Sequence, residues 1–226
     1  MALHRITAAA EVHSTRISTL MTSAVLWLVA SYFLGAIPTS YLLSRFLAGI
    51  DLRQQGSGNL GATNLYRVLG WKYAIPAALV DIAKGFIPVV VLAPQNSPSQ
   101  LFALSCGIAA IVGHVFSVFV GFKGGKGVAT AAGVMLGLTP LALAMAAAVW
   151  AIMVRITGYV SLASISAAAV LPVAVYLLED ARTPALLWIA AAIAAGVIVL
   201  HRRNIERLLK GTESRFGRRA ASTPNS

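Results

Sequence analysis

Three stretches of the chain carry residues suited to holding an anion. The first is Gly56-Ser57-Gly58-Asn59-Leu60-Gly61-Ala62-Thr63-Asn64, followed by Arg67. Small residues leave backbone N–H groups open, and a helix beginning near Ala62 would aim its positive end at the same place. Arg67 adds a planar fork that can grip two phosphate oxygens. Taken alone, the segment reads equally well as a Gly/Asn-rich turn between two apolar spans. The second stretch runs from Gly113-His114 to Lys123-Gly124-Gly125-Lys126-Gly127-Val128-Ala129-Thr130. A nucleotide P-loop needs Gly, four residues, then Gly-Lys-Ser/Thr, but here Val120 stands at the first position and Gly127 follows Lys126. The P-loop match fails. A glycine loop with two lysines at the start of a helix remains, which is still a good anion site. An ordinary basic loop is the competing reading, and the glycines at 124, 125 and 127 argue against it. His114 alone reads as a packing or capping residue.

The third stretch begins at His201-Arg202-Arg203-Asn204 and ends at Arg215. If the preceding span continues as helix, His201, Asn204 and Leu208 share a face, where the polar pair can meet substrate hydroxyls or phosphate. A basic tail resting on anionic lipid explains the arginines but not the His/Asn pairing. Ser161 and Ser164 follow Gly158-Tyr159 and are candidates for the same site, although serines in membrane helices often only pack. Asp81 and Lys84, three apart in an apolar run, read as a helix-internal ion pair.

These residues must be positioned by membrane helices. Of 226 residues, 58% are hydrophobic and 11% charged, about half the charged share of a soluble domain. Mean hydropathy is +0.79, and the formal net charge of +11 has too few acids to pair with. A pI near 10.6 would suit nucleic acid, but the apolar runs argue against such a partner. Unpaired positive charge on a membrane protein belongs in cytoplasmic loops, at headgroups or around anionic substrates. The single cysteine, Cys106, lies in an apolar run, so neither an intrachain disulfide nor a cysteine metal cluster is expected.

Six apolar runs approach the length needed to cross a bilayer: 23–47, 73–93, 101–120, 128–154, 160–178 and 185–200. The basic segments 51–72, 121–127 and everything from Arg202 onward should all be cytoplasmic. Six crossings cannot satisfy that. The conflict disappears if 128–154 goes out and back as two short helices, broken at Gly137-Leu138-Thr139-Pro140. The expected fold is therefore an all-α polytopic membrane protein of seven transmembrane helices, two of them short, with the N-terminus outside and the C-terminus cytoplasmic. Residues 1–20 read as a disordered or misassigned extension with no cleaved signal peptide, 21–215 as the membrane domain, and 216–226 as a disordered cytoplasmic tail.

Ser57-Gly58-Asn59-x-Gly61-Ala62-Thr63-Asn64-x-x-Arg67 resembles motif one of the bacterial acyl-phosphate:glycerol-3-phosphate acyltransferases, the PlsY family. Residues 113–130 resemble motif two, with Ser117 in place of the usual proline. His201-x-x-Asn204-Ile205-x-Arg207-Leu208-Leu209-x-Gly211-x-Glu213-x-Arg215 resembles motif three, with Arg215 where lysine is common. The resemblance implies seven membrane helices and an active site on the cytoplasmic face of the bacterial inner membrane. It also implies transfer of a fatty acyl group from acyl phosphate to the sn-1 hydroxyl of glycerol 3-phosphate, giving 1-acyl-glycerol 3-phosphate and phosphate. Neither coenzyme A, nucleotide nor metal is demanded, because acyl phosphate is already activated. Partners then are the two substrates and the bilayer, with hand-off from enzymes that make acyl phosphate and to enzymes that acylate lysophosphatidate.

By that resemblance Ser57, Arg67, Lys126, His201 and Asn204 are the catalytic candidates. Gly58, Asn59, Gly61, Thr63, Asn64, Lys123, Gly124, Gly125, Gly127, Ser161 and Ser164 are the substrate-binding ones. Glu213 is expected to be structural, paired with a nearby base. No Ser-His-Asp or Cys-His arrangement is evident, and the family points to a substrate phosphate as proton acceptor. Two alternatives are weaker. A His-x-x-x-x-Asp thioester mechanism would find Glu206, on a different helical face from His201. A transporter or channel for small phosphorylated anions would need polar groups through the bilayer, whereas here they gather at one face.

Overall fold

The computed structural model describes residues 21–179 and 184–217. The expectations for residues 1–20 and for the tail from Arg218 onward lie outside the described residues. The expected start of the disordered tail at 216 is corrected, because the Phe216 amide donates to the Gly158 carbonyl and its ring packs on Tyr66. Every regular element among the described residues is helical. In chain order they are α1 (Met21–Ala36), α2 (Thr39–Ala48), α3 (Ala62–Leu69), α4 (Trp71–Ile87), α5 (Gln100–Val115), α6 (Val128–Leu138), α7 (Pro140–Thr157), α8 (Val160–Leu178), α9 (Pro184–Leu200) and α10 (Arg202–Leu209).

All six apolar runs are helical, with two revisions. The first run is α1 and α2, bent by 43°. Pro38 lies at the bend, where its ring restricts Ile37 and withholds a backbone donor. Lys84 Nζ donates to the Ile37 carbonyl at 2.8 Å and Ser117 Oγ to that of Ala36, so the broken helix end is satisfied by side chains of α4 and of the loop after α5. Ser117 thus has a definite task at the place where the motif usually has proline. The fourth run breaks at Thr139, as the sequence predicts, and Pro140 opens α7 at a position where its missing N–H costs nothing. Only α6, with 11 residues, is short; α7 has 18, about 27 Å at 1.5 Å per residue. The expectation of two short helices is corrected, because α7 continues to Thr157 and stops where Gly158 takes a left-handed conformation (φ 74°).

Among the described residues, four helical stretches are long and apolar enough to cross a membrane, and up to six if the bent pairs α1/α2 and α9/α10 each count as one span. Their outer surfaces carry exposed Leu79, Ile156, Val173, Leu177 and Trp188, which suits lipid contact. One buried core joins α5 to α9 through Leu104, Met135, Ala142, Ala146, Leu171 and Ala190. A second sits beneath the 51–65 segment and consists of Leu52, Leu60, Leu65, Ala77 and Val120. Helices α4 and α6 touch backbone to backbone: a Cβ on Gly133 would lie 1.9 Å from the Ile82 carbonyl oxygen. Small residues at such crossings are how membrane helices gain packing when lipid offers no hydrophobic drive.

Candidate active site

A cavity of about 500 Å³ opens among α3, α4, α6, α7, α8, α9 and α10. One end is polar, lined by Ser57, Arg67, Lys126, Ser161, His201, Asn204 and Glu213; the other is apolar, lined by Ile75, Leu143, Leu171 and Ile193. The three candidate stretches, far apart in sequence, meet at the polar end.

Glu213 organises that end. Its side chain is 1% exposed, and its Oε1 accepts from Ser161 Oγ (2.9 Å) and Asn204 Nδ2 (2.8 Å). Its Oε2 accepts from Arg207 Nε at 2.6 Å, and Arg67 stands 4.0 Å away. Burial alone would push the Glu213 carboxyl up, but hydrogen bonds from Asn204, Arg207 and Ser161 outweigh it and hold the group below its ordinary value. Glu213 is therefore a carboxylate with its lone pairs occupied. It is the structural partner of a base that the sequence suggests, and it also aims Asn204. With the amide nitrogen committed to Glu213, Asn204 turns its Oδ1 to Lys126, whose ammonium donates to it. Burial lowers Lys126 to about 8, partly opposed by Glu213. Burial likewise lowers Arg67, which stays cationic and donates to the Ser214 carbonyl at 3.3 Å.

His201 caps α10, where the chain bends by 57° from α9, so the last span does not continue straight as the helical-face reading assumed. His201 remains beside Asn204 in the cavity wall because both lie at the bend, and both are buried. Its Nδ1 lies 2.8 Å from the Val197 carbonyl, which can only accept, so Nδ1 carries the proton and Nε2 of the neutral ring is an acceptor.

A family model described as "Glycerol-3-phosphate acyltransferase" matches residues 25–211. The glycerol-3-phosphate acyltransferase of Trichlorobacter lovleyi is 49% identical over 196 residues, covering 87% of this chain and 99% of that protein. That of Chlorobaculum parvum is 40% identical over 225 residues, covering 85% and 97%. Among solved structures, the chain is similar to PlsY (YgiH), an integral membrane glycerol 3-phosphate acyltransferase. Its glycerol 3-phosphate form gives a TM-score of 0.79 at 40% identity over 86% of this chain and 96% of that one. The lysophosphatidic acid form gives 0.78 at 38% identity over the same shares. The chain belongs to the glycerol-3-phosphate acyltransferase family.

Against that membership, the geometry sorts the acyltransferase's candidate residues. Ser57, Asn59, Gly61, Thr63, Asn64, Arg67, Lys126, Gly127, Ser161, Ser164, His201 and Asn204 all reach the cavity wall. Gly58, Lys123, Gly124 and Gly125 do not. Lys123 is exposed, so the glycine loop contributes one cavity cation, not two. The Gly124 and Gly125 amides are spent on the Val115 and His114 carbonyls at 3.0 and 3.1 Å, closing the end of α5. Gly125 is needed for contact: a Cβ there would sit 2.2 Å from His114 Nε2. His114, packed against Gly125 and itself part of the cavity wall, lies 3.7 Å from Asp81, which pairs with Lys84 at 2.7 Å.

Motif one is revised in the same way. The Ser57 amide donates to Asn64 Oδ1 (2.8 Å) and the Gly58 amide to the Gln55 carbonyl (3.0 Å), so neither is open to an anion. Asn64 Nδ2 donates to the carbonyls of Gln55 and Asn59, both at 3.0 Å. With its amide fully used, Asn64 is the peg around which the loop folds. The open amides are instead those of the first turns of α3 and α6, which have no intrahelical acceptor and border the cavity at 61–63 and 127–129. Ser161 acts on Glu213, while Ser164 donates to Val160 and accepts from the Trp150 indole at 3.3 Å. Trp150 and Phe216, both in the cavity wall, are absent from the sequence-derived set. The only signal for either was a large aromatic: one in a run of alanines, one just past the third motif.

Proposed function

We propose that the cavity transfers a fatty acyl group from acyl phosphate to the sn-1 hydroxyl of glycerol 3-phosphate, giving 1-acyl-glycerol 3-phosphate and phosphate, the first acylation of phospholipid synthesis. The observation that carries this reading is the pairing of two ends in one cavity. Arg67, Lys126 and the N-termini of α3 and α6 converge on a polar end, and an apolar end continues between the helices. Two phosphorylated substrates repel one another, and cations with oriented amides offset that repulsion where water is excluded. The acyl chain remains in apolar surroundings.

Arg67, Lys126 and the Ser57 hydroxyl hold phosphate. Asn204, fixed by Glu213, and His201 position glycerol 3-phosphate, with His201 Nε2 accepting from a substrate hydroxyl. The hydroxyl oxygen attacks the acyl carbonyl carbon, the bond from that carbon to phosphate oxygen breaks, and the hydroxyl proton ends on the departing phosphate. This substrate-assisted route is supported by the partner of His201, which is a backbone carbonyl and not a carboxylate. The thioester alternative is disfavoured because Glu206 is exposed while His201 is buried. In this reading the polar end faces the cytoplasm of a bacterial inner membrane, with seven spans, the N-terminus outside and the C-terminus inside. Acyl phosphate arrives from an enzyme that makes it, and the product passes to one that acylates lysophosphatidate.

The test is phosphate release from palmitoyl phosphate by the detergent-purified protein, with and without glycerol 3-phosphate. Release that requires glycerol 3-phosphate and matches acylated product is expected. Acylation from acyl-CoA with palmitoyl phosphate ignored would overturn the donor assignment.

A further inference from the structure

After α10 the chain turns at Gly211 and residues 212–217 run back along the polar end of the cavity. Four consecutive residues of this strap, 213–216, are tied to the surrounding walls. Glu213 points inward to Ser161 and Asn204, and the Ser214 carbonyl accepts from Arg67 at 3.3 Å. The Arg215 guanidinium lies over the Tyr159 ring at 5.2 Å and donates to its hydroxyl at 3.2 Å. The Phe216 amide donates to the Gly158 carbonyl at 2.7 Å. Its ring packs against Tyr66 (4.8 Å between centroids) and edge-on to Trp71 (5.2 Å). Phe216, Tyr66 and Trp71 all line the cavity, so three aromatic rings close the corner between α3, α4 and the start of α8.

We infer that this strap, with Phe216 as its closing side chain, keeps water from the acyl phosphate and so directs the acyl group to glycerol 3-phosphate. The inference rests on the acyl-phosphate reading above. Water can follow the same path as the glycerol hydroxyl: its oxygen bonds to the carbonyl carbon, the bond to phosphate oxygen breaks, and its proton ends on phosphate, leaving free fatty acid. Cations that ease the departure of phosphate ease it for both nucleophiles. Arg67 and Lys126 therefore supply rate without choosing between them. Choice requires exclusion of solvent, which an apolar ring cluster in the wall beside Arg67 provides.

The test measures phosphate, 1-acyl-glycerol 3-phosphate and free palmitate in one reaction with palmitoyl phosphate and saturating glycerol 3-phosphate. Wild type should release phosphate in only slight excess over acylated product, the small difference appearing as free palmitate and setting the baseline ratio. Phe216→Ala should raise hydrolysis relative to transfer by roughly threefold or more, with the excess phosphate matched by palmitate. Phe216→Tyr, which keeps the ring, should hold the wild-type ratio. A merely structural role would slow both reactions together and leave the ratio unchanged. Should Phe216→Ala not purify as a folded protein, Phe216→Leu, which keeps bulk but loses ring packing, carries the same test. An unchanged ratio in Phe216→Ala or Leu, or a Phe216→Tyr variant as leaky as Ala, overturns the strap's role while wild-type transfer stands. Wild-type protein that ignores palmitoyl phosphate overturns the donor assignment and this inference with it.

Discussion

Arg67 separates charge from shape. Lysine at this position keeps the positive charge but loses the planar fork that spans two phosphate oxygens, and it loses the reach to the Ser214 carbonyl. Arg67→Lys should therefore lower kcat/KM at least about tenfold, on the order of 1.4 kcal/mol of transition-state stabilisation. Steady-state kinetics with both substrates varied checks this, and an unchanged value would remove the phosphate-clamp role. Lys126 gives a prediction with a sign. Burial lowers it to about 8, so in the free enzyme the ammonium is lost as pH rises through that value. Substrate phosphates are already dianionic there, since their second ionisation is near ~6, so the alkaline fall in kcat/KM belongs to the protein. Lys126→Arg should abolish the limb near pH 8, whatever its effect on the absolute rate; a limb that survives in the arginine variant would assign it to another group. At this scale the sequence made residue type legible but not hydrogen-bond occupancy. Asn64 sits in the motif of Arg67, and Ser161 is a candidate for the same site, yet their polar atoms are consumed within the protein. A motif records which residues a site needs without separating those that touch substrate from those that hold the ones that do. Lys123 and Lys126 are two lysines of one loop, and only the fold buries one and exposes the other.

Among elements, the apolar runs and the break at Thr139–Pro140 were legible because proline and run length act locally. The bends at Pro38 and His201 were not, because hydropathy averages over a break that leaves composition unchanged. Nor was the contact between α4 and α6, which depends on which helices become neighbours. That contact sets where the α6 N-terminus, and hence Lys126, is presented to the cavity. Gly133→Leu should force the two helices apart, since even a Cβ would lie 1.9 Å from the Ile82 carbonyl oxygen, which is backbone and cannot rotate away. Overpacking of this kind costs roughly 1–3 kcal/mol or more. A loss of thermal stability in detergent is expected, together with a greater fall in activity than the milder Gly196→Ala, where a Cβ meets open space. Equal midpoints for the two variants would show that the close crossing contributes nothing.

For the whole molecule, the cavity itself constrains topology. Its polar end draws on α3 (Arg67), the loop between α5 and α6 (Lys126), the start of α8 (Ser161) and the junction of α9 and α10 (His201, Asn204). Direct contacts tie them: Lys126 to Asn204, Ser161 to Glu213, and Phe216 to Gly158. Groups in contact lie at one membrane face, so an even number of crossings must separate each pair. Between Lys126 and Gly158 lie only α6 and α7, and α7 alone would place them on opposite faces. In the seven-span reading both helices cross, even though α6 spans only ~16 Å at 1.5 Å per residue against a hydrocarbon core of ~30 Å. Its buried Ala131, Val134 and Met135 show where neighbouring helices cover it, and in that reading local thinning would meet the remaining mismatch. The seven-span arrangement expected from the lysines and arginines is compatible with these contacts. It predicts that five crossings (α5 to α9) separate residues 95–99 from the chain after Arg215. A reporter fused after Arg215 should read cytoplasmic, and one inserted within 95–99 should read external. The same side at both places would mean that α6 enters and leaves by one face, and the seven-span arrangement would have to be abandoned.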